Sequence, residues 1–462
     1  MFVILFLFQI LVTIFVDAEN IVVQIPNGEI RGRKEYSLRK TKTTFYAFQQ
    51  IPFGKPPIGD LRFADPEPAE KWDGILDATH NTKICYQQSN MYNVPNLEEL
   101  ENEDCLYLNV YTPREPYPYS SLPVMFFFFG GGFVNGAGNF DFFGPHYLME
   151  HDIIVVTINY RVGPFGFLTT GDTTIAGNYG LKDQLLALKW VKDNILYFGG
   201  DPSKVTIFGQ SAGAASVTFH LMSKQSEGLF RAAIAQSGSI LCPWAYQREH
   251  RNMAYKLASG LDPSFKNTSS SQELLNLLRS KSAAEINTVA SSFKQAVGNE
   301  QIVQGFWFTP VIEPEHQNAF ITEYQYDAIS KGHMNKIPLM IGICSEESIA
   351  RAAGAYRVGH AEDNHYLWVS SNHSYLDRYP ELDIKTSDRY RTLFTNFAKY
   401  LNPTPEPSEL LDNITWPTVK PDDFQYLDIN ETITLQRNPK NDVYPKWVNL
   451  YEEMAVKPYD TF

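Results

Sequence analysis

Lys204-Val-Thr-Ile-Phe-Gly-Gln-Ser-Ala-Gly-Ala-Ala-Ser-Val217 is the stretch whose reading decides the fold. Val205 to Phe208 favour a strand and run directly into Gly209-Gln210-Ser211-Ala212-Gly213, after which small residues lead a helical run to Met222. This is the strand–turn–helix setting in which G-x-S-x-G holds a serine at the apex of a sharp turn. The turn is tight enough that a Cβ at either glycine would strike the neighbouring strand or helix. The serine hydroxyl is thereby pushed clear of the backbone, and the positive end of the new helix points toward it. The five-residue motif is weak by itself; its flanks give it meaning.

Outward from this turn the chain repeats one theme. Val124 to Phe129 and Ile153 to Ile158 are continuous apolar runs, as expected of strands buried on both faces of a parallel sheet. Between them and the serine lies Leu181 to Leu196, where Leu181, Leu185, Leu188 and Lys192 share a helical stripe that Leu186 and Val191 broaden; Gly199-Gly200 ends that helix. Ala232 to Ala235 and Ile337 to Ile343 read as later buried strands. Upstream, Val22 to Ile25 and Glu29 to Gly32 flank Asn27-Gly28, a hairpin signal. Phe45 to Phe48 and the alternating Leu106 to Tyr111 are further strands. Strands alternating with helices mean an α/β fold around a mostly parallel central sheet with helices on both faces. The Pro-rich Asn402-Pro-Thr-Pro-Glu-Pro407 reads as a loop within one domain.

Composition narrows the field. With 44% hydrophobic and 14% aromatic residues the 462-residue chain can fill a large core, and its net charge of −13 argues against nucleic acid. Met1 to Val16 is apolar apart from Gln9 and Thr13, shorter than the roughly 20 residues of a spanning helix, and is followed by small residues at Val16-Asp17-Ala18. Residues 1–18 are therefore read as a signal peptide, leaving 19–462 as a single secreted domain without a membrane anchor. Asn267, Asn372, Asn413 and Asn430 each open an N-x-S/T triplet, the acceptor pattern for glycans on a secreted chain. Four cysteines permit three full pairings; Cys85 with Cys105, closing a short loop, is favoured, with Cys242 and Cys344 left as thiols.

A reactive serine needs partners. Phe129-Gly130-Gly131-Gly132-Phe133 follows a buried strand, and backbone without side chains can bring amide N–H groups onto a developing oxyanion, each worth roughly 2.7–4 kcal/mol of barrier. On this kind of fold the order is Ser…Asp/Glu…His. The run Ile337 to Ile343 ends in Cys344-Ser345-Glu346-Glu347, a suitable place for the carboxylate. Only His360, His365 and His373 come later; His373 sits inside the Asn372 triplet, whereas His360 follows a glycine in a loop-like stretch, making it the better base.

Taken together, the motifs resemble those of the type-B carboxylesterases, the family of cholinesterases and secreted insect esterases. They are Glu103-Asp-Cys-Leu-Tyr-Leu-Asn109, Phe129 to Phe133, Asn159-Tyr-Arg161, Asp183-Gln184, Phe198-Gly-Gly-Asp-Pro202, Gly209 to Gly213, Ala235-Gln-Ser-Gly238, Pro310-Val-Ile-Glu313, Gly359-His360, Thr395-Asn-Phe-Ala398 and Asn402-Pro-Thr-Pro405. The resemblance implies an α/β-hydrolase fold, with Ser211 as nucleophile, Glu347 as acid and His360 as base, and N–H donors from Gly131, Gly132 and Ala212. It implies a Cys85–Cys105 disulfide, ion pairs Arg62–Glu103 and Arg161–Asp183, and a pocket lined by Phe133, Trp244 and Phe308. The expected substrate is a small-molecule ester, cleaved through an acyl-enzyme without metal or organic cofactor.

Three departures stand out. Phe129 occupies a place where many members have His or Tyr, and Ser348 replaces the usual Gly. The third concerns spacing: Glu347 and His360 are only 13 residues apart, where the family has roughly a hundred in this Ser…Glu…His order. The join falls between Ser348 and Val358, and a parallel crossover needs a dozen or more residues. The last part of the sheet is therefore expected to be missing, His360 to hang on a loop, and Ile337 to Ile343 to form an exposed apolar edge. The alternative to an active esterase is a catalytically impaired, shortened isoform that binds rather than cleaves.

Overall fold

A computed structural model describes residues 20–39, 41–88, 96–293, 307–347, 359–370 and 378–454. Among the described residues twelve strands run in chain order: β1 (Asn20–Ile25), β2 (Gly28–Tyr36), β3 (Thr44–Pro52), β4 (Ile75–Asp77), β5 (Tyr107–Thr112), β6 (Leu122–Phe128), β7 (Ile154–Ile158), β8 (Gly200–Gln210), β9 (Ala232–Gln236), β10 (Leu339–Gly342), β11 (Gln425–Ile429) and β12 (Ile433–Arg437). The central sheet has the order β1-β2-β3-β5-β7-β6-β8-β9-β10, with β4 alongside β2. Its first part is antiparallel, beginning with the Asn27-Gly28 hairpin, and β7, β6, β8, β9 and β10 are parallel to one another. This is the mixed, mostly parallel sheet of the α/β-hydrolase fold.

The chain goes from β6 out to β7 on one side, then returns to place β8 on the other side of β6. The carboxyl ends around such a reversal are where open α/β sheets bind ligands, because the loops there diverge. The return runs through α1 (Tyr179–Asn194), whose Leu181, Leu185, Leu188 and Val191 are buried as their spacing predicts; a 3₁₀ turn then carries the chain to Gly199, at φ 88°. Next, α2 (Ala212–Met222), wholly buried, packs on β8 and β9. The remaining longer helices are α3 (His250–Leu261), α4 (Ser271–Ser280), α5 (Ala283–Ser292), α6 (Gln325–Lys331), α7 (Glu381–Tyr400) and α8 (Tyr444–Met454). Capping boxes start α4 at Ser270 and α5 at Ser282, with Glu273 and Glu285 reaching back to the cap. On one side α7 sends Phe394 and Phe397 into the core of the sheet, while α2 to α5 enclose a second apolar cluster.

The composition of Ile337 to Ile343 is that of a buried strand, but the short spacing after Glu347 turns the expectation to an exposed edge, and that is what is found: β10 is the last strand of the sheet among the described residues, with Met340 buried while Leu339, Ile341 and Ile343 are exposed. The apolar run anticipates a neighbouring strand that the described residues do not supply, and the exposed edge follows from that. The join itself, 348–358, lies outside the described residues. Beyond it a small hairpin, β11–β12, seats Leu427 and Ile433 against Leu393 of α7 and Leu411.

Candidate active site

β8 delivers Ser211 to the carboxyl rim of the sheet. Its backbone sits at φ 56°, ψ −122°, which non-glycine residues rarely adopt. Neighbours hold it there. Ser211 N–H donates to the Gln236 carbonyl at 2.9 Å, and its own carbonyl caps α2 by accepting from Ala215 at 2.9 Å. The flanking glycines are sterically required: a Cβ on Gly213 would lie 2.0 Å from the Phe128 oxygen, and one on Gly209 2.5 Å from the Gly213 carbonyl. Strand, bend and helix are in van der Waals contact through those two positions.

The glycine loop after β6 lies against the same bend. A Cβ on Gly130 would come 2.5 Å from the Gln210 carbonyl oxygen and 3.0 Å from Ser211 Cβ. Gly131 and Gly132 are at φ 124° and 64°, so only glycine adopts this path without strain. The loop closes on itself as Val134 and Asn135 donate to the Gly131 carbonyl, both at 3.1 Å. Ala212 is the first residue of α2, where helix N–H groups lack intrahelical acceptors. Phe133, Phe308 and Ala212 are buried in one apolar cluster, with Trp244 packed partly buried against it.

Across the 13-residue spacing, His360 Nδ1 contacts Glu347 Oε2 at 2.6 Å. A single parallel bridge between Glu346 and Gly359 aligns the two segments, all that the described residues retain of a further strand. Burial pushes the Glu347 carboxyl up, but the contact with His360, the hydroxyl of Ser237 close by and the Cys344 N–H outweigh it and hold it below the usual carboxylate range; the Ser237 hydroxyl itself donates to Cys344 Sγ at 3.7 Å. A carboxylate on Nδ1 fixes the imidazole with its proton there and a lone pair on Nε2. That lone pair faces Gln210 Nε2 at 3.3 Å, and among the described residues no hydrogen bond joins His360 to Ser211. The histidine thus reaches the residue before the serine. Gln210 and Ser237 are the participants that sequence reasoning left without a role. Ser237 could have been suspected from its place just past the buried Ala232 to Ala235 run, and the structure holds it at φ 55°.

Residues farther out brace this rim. Arg161 places its backbone N–H, Nε and Nη2 on Asp183 at 3.0, 2.8 and 2.7 Å, both side chains buried. Arg62 grips Glu103 through Nε at 2.6 Å and Nη2 at 2.5 Å. Phe129 stacks on Tyr160 at 4.1 Å, a use for the apolar ring at that position. Cys85 and Cys105 form a disulfide; Cys242 and Cys344 are free, Cys344 being buried with its thiol pushed up to about 12 by burial and by Asp363 and Glu347. Asn267, Asn413 and Asn430 are exposed, and Asn372 lies outside the described residues.

The profile of the Carboxylesterase family matches residues 19–357 and 351–447. The chain belongs to the carboxylesterase family. The match falls into two stretches that meet at 351–357, inside the window where the spacing places a join. Similar curated relatives include juvenile hormone esterase from Tribolium castaneum, 41% identical over 332 residues, covering 71% of this chain and 55% of that protein. Venom carboxylesterase-6 from Apis mellifera is 38% identical over 333 residues, covering 71% of this chain and 57% of that protein. The carboxylesterase-family chain thus spans a little over half the length of the curated relatives it matches. Among solved structures it is similar to juvenile hormone esterase from Manduca sexta with OTFP covalently attached, with TM-score 0.81, 26% identity, and coverage of 94% of this chain and 100% of that one.

Proposed function

We propose that this chain is a secreted serine hydrolase that cleaves small-molecule carboxylic esters through an acyl-enzyme. The observation that carries the reading is the 2.6 Å contact of His360 with Glu347, which survives the short spacing and leaves Nε2 turned toward the segment bearing Ser211. In this mechanism the imidazole leaves the Gln210 amide and takes the Ser211 proton as the oxygen attacks the ester carbonyl. Glu347 stabilises the imidazolium. The Gly131, Gly132 and Ala212 N–H groups receive the oxyanion, and Phe133, Trp244 and Phe308 surround the acyl group. Protonated His360 returns its proton to the leaving alkoxide, and water repeats the attack to release the acid. The likeness to a venom carboxylesterase, the apolar leader 1–18 and the glycan triplets support export; among the described residues no helix is long and apolar enough to cross a membrane.

A second reading is a shortened isoform that binds esters without turning them over. It is favoured by the His360–Gln210 contact standing where a His360–Ser211 bond is needed. Activity-based labelling with a fluorophosphonate, with Ser211→Ala as the blank, separates the two. Labelling at Ser211 together with a burst and steady turnover of p-nitrophenyl acetate supports the esterase; no labelling of folded protein refutes it. Labelling without turnover identifies the impaired form and localises the defect to His360.

A further inference from the structure

Tyr390, on the long helix α7, is hydrogen-bonded to a pair of buried polar side chains beside the triad. Its hydroxyl donates to Asp363 Oδ2 at 2.7 Å and accepts from Gln236 Nε2 at 3.1 Å; Gln236 Nε2 also donates to Asp363 Oδ2 at 2.9 Å. Asp363 and Gln236 are both buried. Burial, reinforced by the facing Asp363, holds the Tyr390 phenol well above its ordinary value, so the hydroxyl keeps its proton and stays a donor. The ring packs against Phe394 at 4.6 Å and Tyr366 at 5.7 Å, which sets the direction of that hydroxyl.

Each partner leads to one member of the proposed triad. Gln236 ends β9, and its carbonyl accepts from the Ser211 N–H at 2.9 Å. Asp363 follows His360 by three residues, in a 3₁₀ turn over Glu362–Tyr366. Glu362 N–H donates to the Gly359 carbonyl at 3.3 Å, Asn364 N–H to the Ala361 carbonyl at 3.2 Å, and Gly359 N–H to Glu362 Oε2 at 2.7 Å. Those bonds make 359–364 one unit, so a shift at Asp363 is passed on to His360. Helix α7 also holds the far end of the turn, where Ser387 Oγ and Arg391 Nη1 donate to the Tyr366 carbonyl at 3.0 and 3.2 Å. Sheet pairing beside His360 amounts, among the described residues, to the single bridge of Gly359 with Glu346, so side-chain anchors add to the support of the ring.

We infer that Tyr390 is a positioning residue for His360: its hydroxyl clamps Asp363 to Gln236 and so fixes the turn bearing the imidazole against the bend bearing Ser211. The inference rests on the proposed role of His360 as base. Removing the hydroxyl takes one of the two bonds described on Asp363 Oδ2 and leaves the ring in place, so the turn loosens without a cavity. Misplacing a reacting group by about 1 Å costs about a hundredfold in rate.

Tyr390→Phe is compared with wild type in p-nitrophenyl acetate hydrolysis, with active sites counted by fluorophosphonate titration. The expected result is a kcat lowered about tenfold or more, with KM and the thermal midpoint nearly unchanged. A purely structural role would instead lower the midpoint and leave kcat per titrated site as it was. In an Asp363→Ala background the same substitution should add almost nothing, because Tyr390 acts through Asp363. Carbethoxylation of His360 by diethyl pyrocarbonate, followed by peptide mass spectrometry, reads the ring without turnover and should be several-fold faster in Tyr390→Phe. Unchanged kcat or unchanged carbethoxylation in Tyr390→Phe overturns the inference, as does a full further loss when that change is added to Asp363→Ala. A wild type that is neither labelled nor able to turn over ester refutes the esterase reading instead, and the carbethoxylation comparison then decides the inference alone.

Discussion

Replacing Glu347 by Gln changes one oxygen for an NH2 group and tests how His360, the proposed base, is oriented. In the native site one carboxylate oxygen accepts from the Cys344 N–H at 2.7 Å and the other contacts His360 Nδ1 at 2.6 Å. The amide keeps its oxygen on Cys344, so its NH2 faces Nδ1. Two donors cannot share that contact. The imidazole answers by moving its proton to Nε2, the atom that accepts from Ser211 in the proposed mechanism. A triad carboxylate changed to its amide leaves geometry intact and lowers kcat about 10⁴-fold, about 5 kcal/mol of barrier. The assay is p-nitrophenyl acetate hydrolysis, with active sites counted by fluorophosphonate titration and Ser211→Ala as background. KM should barely change, because neither Glu347 nor the Nδ1 edge of His360 touches the substrate. Because the carboxyl is held below its usual range, the pair keeps its charge on Glu347 as pH falls through the ordinary carboxylate region. A kcat within tenfold of wild type refutes the claim that Glu347 orients the base.

Three other outcomes follow from packing and charge. Gly213→Ala forces a Cβ to within 2.0 Å of the Phe128 oxygen, so strand and helix must part; loss of fluorophosphonate labelling and a thermal midpoint lowered by several degrees are expected. Burial holds His220 near 3, and burial followed by Arg391 and Lys399 holds His151 near 4. Both folded values lie below the unfolded value of about 6.5, so the stability tied to neutral rings is complete above that pH and lost as pH falls toward 4 and 3, at about 1.4 kcal/mol per pH unit for each ring. A urea midpoint that stays flat from about pH 7 to pH 5 contradicts this. Cys85 and Cys105 are separated by 20 residues, a loop whose closure is worth about 3 kcal/mol. The double serine variant should lose at least that much in urea unfolding, and a loss under 1 kcal/mol would show that the bridge constrains little.

Local rules made much of the fold readable. Period and apolar runs located β6, β7, β8, β9 and α1, because backbone conformation and side-chain direction repeat over a few residues. The glycines at 209 and 213 announced a turn that no Cβ can enter, since that demand is set by atoms within five residues. What lay beyond such reach was decided by the order of strands in the sheet. Gln236 supports Ser211, Ser237 bonds Gly342 and Cys344 just before Glu347, and Gln210 meets His360 because β8, β9 and β10 stand side by side, a proximity that spacing along the chain does not encode. The same dependence explains Ile337 to Ile343: its residues carry the composition of an interior strand, but burial is conferred by neighbours, and among the described residues no strand lies on the outer side of β10.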